Sequence, residues 1–234
     1  MKQKDPLGRS ADEILANKPI GHSSWHFFQA RSWLDLAKRT QNASALQYAA
    51  FELRYGLEYL LFELLFLTNP TLDENVYKRA LKGAAEMRKM LENLGPNYTK
   101  LARFTELGLS VTPYGPKFHR WDLTEIFRSW GEASDYLHFV GPHLLTHQKT
   151  EWLQQAFVKL DQILEPIWTA VTQSTGVGIL NPRQMEPEVL AVWQSYSTGS
   201  MSEDEVLVQL RKLGPVLFER YKQRVVAELK KAAE

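Results

Sequence analysis

The chain has 234 residues and a mass of 27.0 kDa, and its 44% hydrophobic and 24% charged residues are typical of a folded protein of one or two domains. It contains no cysteine, which excludes disulfides, thiolate metal sites and cysteine nucleophiles and fits a reducing compartment. The start of the chain lacks the apolar stretch of a secretory signal, and the longest apolar run, residues 59–67, is far shorter than the ~20 residues that span a bilayer. We therefore expect a cytoplasmic protein with no membrane partner.

The formal net charge of +1 hides a segregation of charge along the chain. Residues 78–120 hold nine Lys or Arg against three Asp or Glu, a net charge of +6, whereas residues 121–210 hold four against twelve, a net charge of −8. We expect residues 78–120 to form an electropositive face, and residues 121–210 an acidic side or the docking surface of a partner. The alternative is that folding places the two segments side by side, where they neutralise each other.

Helical spacing of apolar residues recurs along the chain, and the period-two alternation of strands is absent. Helix starts are predicted where a capping oxygen precedes a carboxylate by three residues, at Ser10/Glu13, Thr71/Glu74, Asp122/Glu125 and Ser202/Glu205. Helix stops are predicted at Asn69-Pro70, Gly95-Pro96, Gly141-Pro142 and Gly214-Pro215. The sequence thus predicts an all-α protein with helices near 11–17, 24–40, 44–68, 72–93, 98–108, 122–140, 143–174, 186–197, 203–213 and 215–233.

The predicted helix 44–68 is apolar on nearly all sides, so we expect it to be the buried central element. Arg54 and Glu58 lie four residues apart on this helix, and we expect an ion pair there rather than a functional site. Glycines and prolines in 175–187 indicate a linker. The linker divides the chain into a helical bundle at 1–178 and a C-terminal helical segment at 179–234.

Common enzyme motifs for phosphate, dinucleotide, zinc and calcium binding are absent from the sequence. Two histidine pairs, His22/His26 and His143/His147, have the four-residue spacing that lets both rings face one metal on a helix. Such pairs are more often helix-end or surface histidines. We therefore predict no metal and no cofactor.

The stretch 109–121 mixes turn formers with aromatic and basic side chains. This combination suits stacking on bases and contact with phosphate. It equally suits a loop that its aromatic side chains pin to the core.

Two regions of the chain resemble parts of a known family. The run 49–62, with Arg54-Tyr55-Gly56-Leu57-Glu58 inside it, and the preceding run 30–37 resemble the paired helices that open HEPN domains. The later run Ala133-Ser134-Asp135-Tyr136-Leu137-His138 is similar to the Ser-x-Tyr-x-His close of the HEPN helix that bears the active site. The resemblance implies a HEPN-like helical bundle, here with a C-terminal helical extension.

Many HEPN proteins are metal-independent ribonucleases of toxin–antitoxin, CRISPR and other anti-phage systems, usually dimeric, and others are inactive RNA-binding or scaffold modules. In active members four to six residues separate an Arg from the His, whereas here Glu132 stands at that spacing and the nearest candidate is Arg128, with nine residues between it and His138. The resemblance implies a catalytic set of His138, Arg128 and Asp135, in which a base activates the 2′-hydroxyl and a cation stands beside the phosphate. A salt bridge to Glu132 could instead occupy Arg128, and His138 could be a buried helix-end residue.

These observations favour an RNA-associated protein of a bacterial defence or toxin–antitoxin system, either a ribonuclease effector or an inactive relative. Six basic residues are the predicted RNA contacts: Lys78, Lys82, Lys89, Lys117, His119 and Arg120. The alternative is a non-enzymatic helical subunit that dimerises or docks a partner protein through aromatics such as Trp193, Tyr196 and Phe218. A small-molecule enzyme with a pocket lined by tryptophans is a third hypothesis, although helical spacing favours a core role for the indoles.

Overall fold

The computed structural model describes residues 23–69, 75, 78, 79, 82–112, 118–137, 150–173 and 179–232. These residues form seven α-helices and no strand, so the predicted all-α fold is confirmed. The helices are α1 Ser23–Thr40, α2 Ala43–Thr68, α3 Ala84–Ser110, α4 Leu123–Ser134, α5 Thr150–Gln173, α6 Pro187–Ser197 and α7 Glu203–Ala232, with a short 3-10 turn at Pro182–Gln184. The predicted helix 11–17, the capping pairs Ser10/Glu13 and Thr71/Glu74 and the stop at Gly141-Pro142 lie outside the described residues.

Two predicted helix starts are confirmed by their capping hydrogen bonds. The side chain of Asp122 accepts from the backbone N–H groups of Thr124 at 2.8 Å and Glu125 at 3.2 Å, at the start of α4. At the start of α7, the backbone N–H of Ser202 donates to the Glu205 carboxylate at 2.8 Å, and the Glu205 N–H donates to Ser202 Oγ at 3.4 Å. Both arrangements satisfy first-turn N–H groups that have no partner within the helix.

Two predicted helix stops are wrong. Helix α3 continues through Gly95-Pro96 and α7 continues through Gly214-Pro215, so each replaces a predicted pair of helices. A proline ring crowds the Cβ of the residue before it and thereby disfavours the helical conformation there. Because glycine has no Cβ, the Gly-Pro order removes that conflict, and what remains is the lost N–H donor and the contact of the ring with the carbonyl four residues before it. Helix α4, by contrast, ends at Ser134, before the predicted limit of 140, and a turn follows at 135–137.

The chain divides into two compact units. The first unit comprises residues 1–66, 72–91 and 121–174, and the second comprises residues 67–71, 92–120 and 175–234. Within the second unit, α3, α6 and α7 share one apolar core of Leu101, Phe104, Leu107, Val192, Val206 and Leu210. The predicted division of the chain at 178/179 stays a prediction.

Helix α2 is the buried central element of the first unit, as the sequence predicts. Leu46, Leu53, Leu57, Leu61 and Leu65 are fully buried. The burial is not complete all round, because Tyr48 is 56% exposed and Phe51 is 44% exposed. One aromatic side of α2 therefore faces solvent.

Helix α1 approaches the backbone of α2 closely at Gly56. A Cβ atom placed on Gly56 would lie 2.6 Å from the ring of Phe27, which is fully buried. Any larger residue at this position would have to displace a ring that has no free space around it. Glycine is therefore required for the packing of α1 on α2.

Helix α1 also contacts α5 through charged and aromatic groups. The Arg31 guanidinium lies over the Trp168 ring at 5.7 Å and donates to the Glu165 carboxylate at 2.6 Å. Lys38, two residues before the end of α1, forms an ion pair with Asp161. No helix within the described residues combines the length and the apolar character that crossing a bilayer requires.

We predict that Gly56→Ala lowers the free energy of unfolding by about 1–2 kcal/mol, because the cost of overpacking against Phe27 exceeds the gain in helix propensity. Gly131→Ala in α4 is the matched control, since nothing lies within 4 Å of its added Cβ, and it should raise stability by up to about 1 kcal/mol. Urea denaturation measures both. Equal changes in the two variants would contradict the close approach at Gly56.

A second prediction concerns Glu203 at the start of α7. Arg103 of α3 donates to both of its carboxylate oxygens, at 3.0 and 2.7 Å, and this hydrogen bonding lowers the pKa of Glu203. A group with a lowered folded-state pKa adds stability that is present above its unfolded-state pKa and is lost as the pH falls through its folded-state pKa. Glu203→Gln should therefore lower the urea midpoint at neutral pH, and its deficit should shrink below about pH 4. A deficit that does not change with pH would contradict this role of the charge.

Candidate functional site

Helix α4 and the turn after it carry two of the three predicted catalytic residues. Arg128 is exposed and donates through Nη2 to the Glu125 carboxylate at 2.6 Å. Glu132, the expected partner of Arg128, instead accepts from Lys159 at 3.0 Å. The predicted base His138 lies outside the described residues.

The surroundings of Arg128 are acidic. The bond to Glu125 raises the pKa of Arg128, and the nearby carboxylates of Glu132 and Asp122 add to that shift. Asp135, the third predicted catalytic residue, is exposed and caps the end of α4. Because four carboxylates share residues 122–135 with one arginine, this surface repels a phosphate more than it attracts one.

The predicted RNA contacts are divided between the two units. Lys78, Lys82 and Lys89 are exposed in the first unit. His119 and Arg120 belong to the second unit, and Lys117 lies outside the described residues. The positive segment 78–120 is thus not one surface within a single unit.

The two predicted contacts of the second unit offer little free positive charge. Arg120 Nη1 lies 3.7 Å from Oε1 of Glu106. Arg103 donates to the other carboxylate oxygen of Glu106, Oε2, at 3.1 Å. Partial desolvation lowers the pKa of His119, which favours its neutral form at pH 7. This end of the segment is therefore a weaker anion site than its sequence suggests.

The first unit holds a denser group of cations, which we call the basic surface. Its members have exposed side chains: Lys78, Arg79, Lys82, Arg88 and Lys89. Residues 78–91 contain only one carboxylate, Glu86, so their net charge is +4. Lys89 donates to Glu86 at 2.9 Å, and this bond, followed by the nearby charges of Arg79 and Lys82, lowers the pKa of Glu86. Within residues 78–91, one carboxylate thus lies near three cations, Arg79, Lys82 and Lys89.

Arg79 and Arg88 were not among the predicted RNA contacts. The sequence nevertheless contains the signal for both, since they belong to the +6 segment. The predicted contacts are lysines of this segment and residues near 117–120, and Arg79 and Arg88 adjoin Lys78 and Lys89 in the sequence.

A row of stacked side chains joins the basic surface to α2, and we call it the aromatic row. The Arg88 guanidinium lies 5.6 Å from the centroid of the Phe127 ring. Phe127 stacks on Trp130 with centroids 5.6 Å apart and an interplanar angle of 18°, and Arg54 lies over the Trp130 ring at 5.4 Å. Two cations therefore flank two stacked aromatic rings.

The expected ion pair between Arg54 and Glu58 is replaced by contacts to Trp130. The indole Nε1–H donates to Glu58 Oε2 at 3.3 Å, while Arg54 stacks over the ring. Nε of Arg54 is buried and has no hydrogen-bond partner among the described residues. Trp130, which is distant in the sequence, thus contacts both charged side chains of this face of α2.

His26 of α1 contacts three side chains of α2. Its Nδ1 lies 2.8 Å from Glu52 Oε2, and its ring stacks against Tyr59 at 4.9 Å and Tyr55 at 5.9 Å. His22, the other member of its predicted pair, lies outside the described residues. Across the part of the chain that the structure describes, no three His, Asp or Glu side chains converge as a metal site.

The three aromatics of the alternative hypothesis differ in their surroundings. Trp193 and Tyr196 pack against Phe104 in the second unit, with ring centroids 5.4 and 5.9 Å from it. Phe218 on α7 is 57% exposed. Only Phe218 of these three has the exposure that a docking contact needs.

Comparison with known proteins adds no relative. No protein-family model, no curated protein and no solved structure matches this chain.

Proposed function

We propose that this chain is a HEPN-like, RNA-associated helical protein that binds single-stranded RNA through the basic surface of its first unit. The observation that carries the proposal is the group of five exposed Lys and Arg side chains in residues 78–91, three of which, Arg79, Lys82 and Lys89, lie near the one carboxylate of that range, Glu86. A cluster of this kind attracts a polyanion because each neutralised phosphate releases a condensed counterion.

The aromatic row supports single-stranded RNA as the ligand. Unpaired bases stack on aromatic rings and on planar guanidinium groups, whereas paired bases do not expose their faces. Arg88 belongs to the basic surface, and its exposed guanidinium covers Phe127, so a planar group on which a base can stack lies beside the phosphate contacts. The combination of exposed cations and half-buried aromatics suits a flexible strand better than a rigid duplex.

The geometry supports RNA binding more strongly than RNA cleavage. The predicted catalytic cation, Arg128, is engaged by Glu125 and surrounded by further carboxylates. A phosphate approaching Arg128 would have to displace Glu125 and overcome the repulsion of Asp122 and Glu132. Within this proposal the chain acts as an RNA-binding member of its type, and RNA incubated with it is recovered intact.

We predict that the double charge reversal Arg79→Glu and Lys82→Glu weakens binding of single-stranded RNA roughly tenfold or more at low salt. The slope of log affinity against log salt should also become shallower, by about 0.7 for each phosphate that the variant no longer neutralises. The matched control is Arg211→Glu with Lys212→Glu, an exposed pair on α7 in the second unit, which makes the same change in net charge. Fluorescence anisotropy with a labelled oligonucleotide measures both quantities.

Two outcomes would overturn the proposal. If the wild-type chain does not bind RNA at low salt, the basic surface has no such function. If the control pair weakens binding as much as Arg79→Glu with Lys82→Glu, binding follows net charge and not the proposed surface. Cleavage of the RNA that His138→Ala abolishes would instead assign catalysis to the predicted set.

A further inference from the structure

The aromatic row of the first unit ends in a guanidinium group on each side. Phe127 and Trp130 lie three residues apart on α4 and stack on each other with ring centroids 5.6 Å apart. Arg88 lies over the Phe127 ring at 5.6 Å, and Arg54 lies over the Trp130 ring at 5.4 Å. Each ring thus contacts the other ring and one guanidinium, and the two ends of the row are cations.

Arg88 is the end of the row that a ligand can reach. Its side chain is exposed, and no carboxylate of the described residues forms an ion pair with it. Glu86, two residues earlier, pairs with Lys89 instead, at 2.9 Å. Arg54, by contrast, is half-buried, and its Nε atom is enclosed. An RNA strand on the basic surface therefore meets the row at Arg88.

A guanidinium that lies over a ring offers a ligand two different surfaces. Its N–H groups point outwards in the plane of the group and donate to phosphate oxygens. The face turned away from the ring is flat, and unpaired RNA bases stack on such faces. Lysine has the same charge but no flat face. The position of Arg88 therefore suits recognition of a base as well as of a phosphate.

The contact with Phe127 also orders the Arg88 side chain before RNA arrives. A long exposed side chain loses rotamer freedom when it binds a ligand, and this loss weakens binding. Phe127, which is itself stacked on Trp130, already restricts Arg88 in the free protein. Arg79, the other arginine of the basic surface, lies over no aromatic ring of the described residues. The two arginines thus carry the same charge in different settings.

We propose that one unpaired base of the bound RNA stacks on the outer face of the Arg88 guanidinium, and that this contact makes the basic surface favour purine-rich single strands. The inference rests on the proposed function and names the class of RNA that the same surface takes. Where no base edge is read by hydrogen bonds, stacking strength sets the sequence preference. A purine offers a larger face than a pyrimidine, so it gains more from stacking on Arg88.

Other cations of the basic surface neutralise the phosphates of the same strand. Arg79, Lys82 and Lys89 all lie near Glu86, so this group holds more positive than negative charge. Such a group attracts the RNA backbone whatever the bases are. Stacking on Arg88 and attraction of phosphates are thus separable, because the first depends on the base and the second depends on salt.

The test compares three single strands of about eight nucleotides: oligo(A), oligo(U) and an abasic ribose-phosphate strand of the same charge. Fluorescence anisotropy with the full chain at low salt gives the three dissociation constants. The wild type should bind oligo(A) roughly tenfold more tightly than the abasic strand, because only the first can stack. Oligo(U) should bind with an affinity between these two.

The variant Arg88→Lys separates the flat face from the charge. It should bind oligo(A) and the abasic strand with affinities within about twofold of each other, while its dependence on salt stays that of the wild type. Arg79→Lys is the matched control, since it makes the same substitution on the same surface, and it should keep the wild-type preference. The ratio of affinities within each protein is compared, so that self-stacking of free oligo(A) cancels. Circular dichroism checks that both variants remain helical.

The outcomes distinguish this inference from the proposed function. If the wild type binds oligo(A) and the abasic strand equally, no base stacks on the surface, and the inference is wrong although RNA binding stands. If Arg88→Lys keeps the preference for oligo(A), or Arg79→Lys loses it as well, Arg88 is not the stacking residue. If none of the three strands binds at low salt, the proposed function itself is wrong.

Discussion

The contact between the Phe27 ring and the backbone of Gly56 is the constraint on which the first unit depends. It brings α1 close enough to α2 for Ala30, Leu34 and Ala37 to be buried together with the leucines of α2. The same approach allows Ser23 to bond Glu63, near the end of α2, at 2.6 and 2.8 Å and allows His26 to bond Glu52 at 2.8 Å. Close packing and satisfied polar groups therefore reinforce each other along this helix pair.

The pairing of charges decides which surfaces remain available for a ligand. Arg103, Arg120 and Arg128 are all close to carboxylates, and so are the arginines of the second half of α7. Residues 78–91 differ because they hold five cations and one glutamate, which lies near three of those cations. Sequence composition counts all of these cations equally, whereas the attraction felt by a phosphate depends on the charge left after local pairing. The proposed function follows from that remainder.

Local physics made the helices and their caps predictable. Asp122 and Ser202 cap their helices as expected because capping needs only residues three positions apart. The predicted stops at Gly95-Pro96 and Gly214-Pro215 failed because a proline costs a helix one donor and some crowding without necessarily ending it, and α5 likewise continues through Glu165-Pro166. Contacts across the chain were not predictable. Trp130 contacts both Arg54 and Glu58, which therefore do not pair with each other. Lys159 forms the ion pair with Glu132, and Arg128 pairs with Glu125 instead. The division of the +6 segment between two units likewise depends on tertiary structure.

We propose that the chain meets RNA through residues 78–91 and the adjoining aromatic row. Ultraviolet cross-linking of the full chain to single-stranded RNA, followed by mass spectrometry of the linked peptides, tests that claim most directly. We predict cross-links in peptides that cover residues 78–91 and in peptides that contain Phe127 or Trp130. Cross-links confined to the second unit, or cross-linked peptides that avoid both regions, would contradict it.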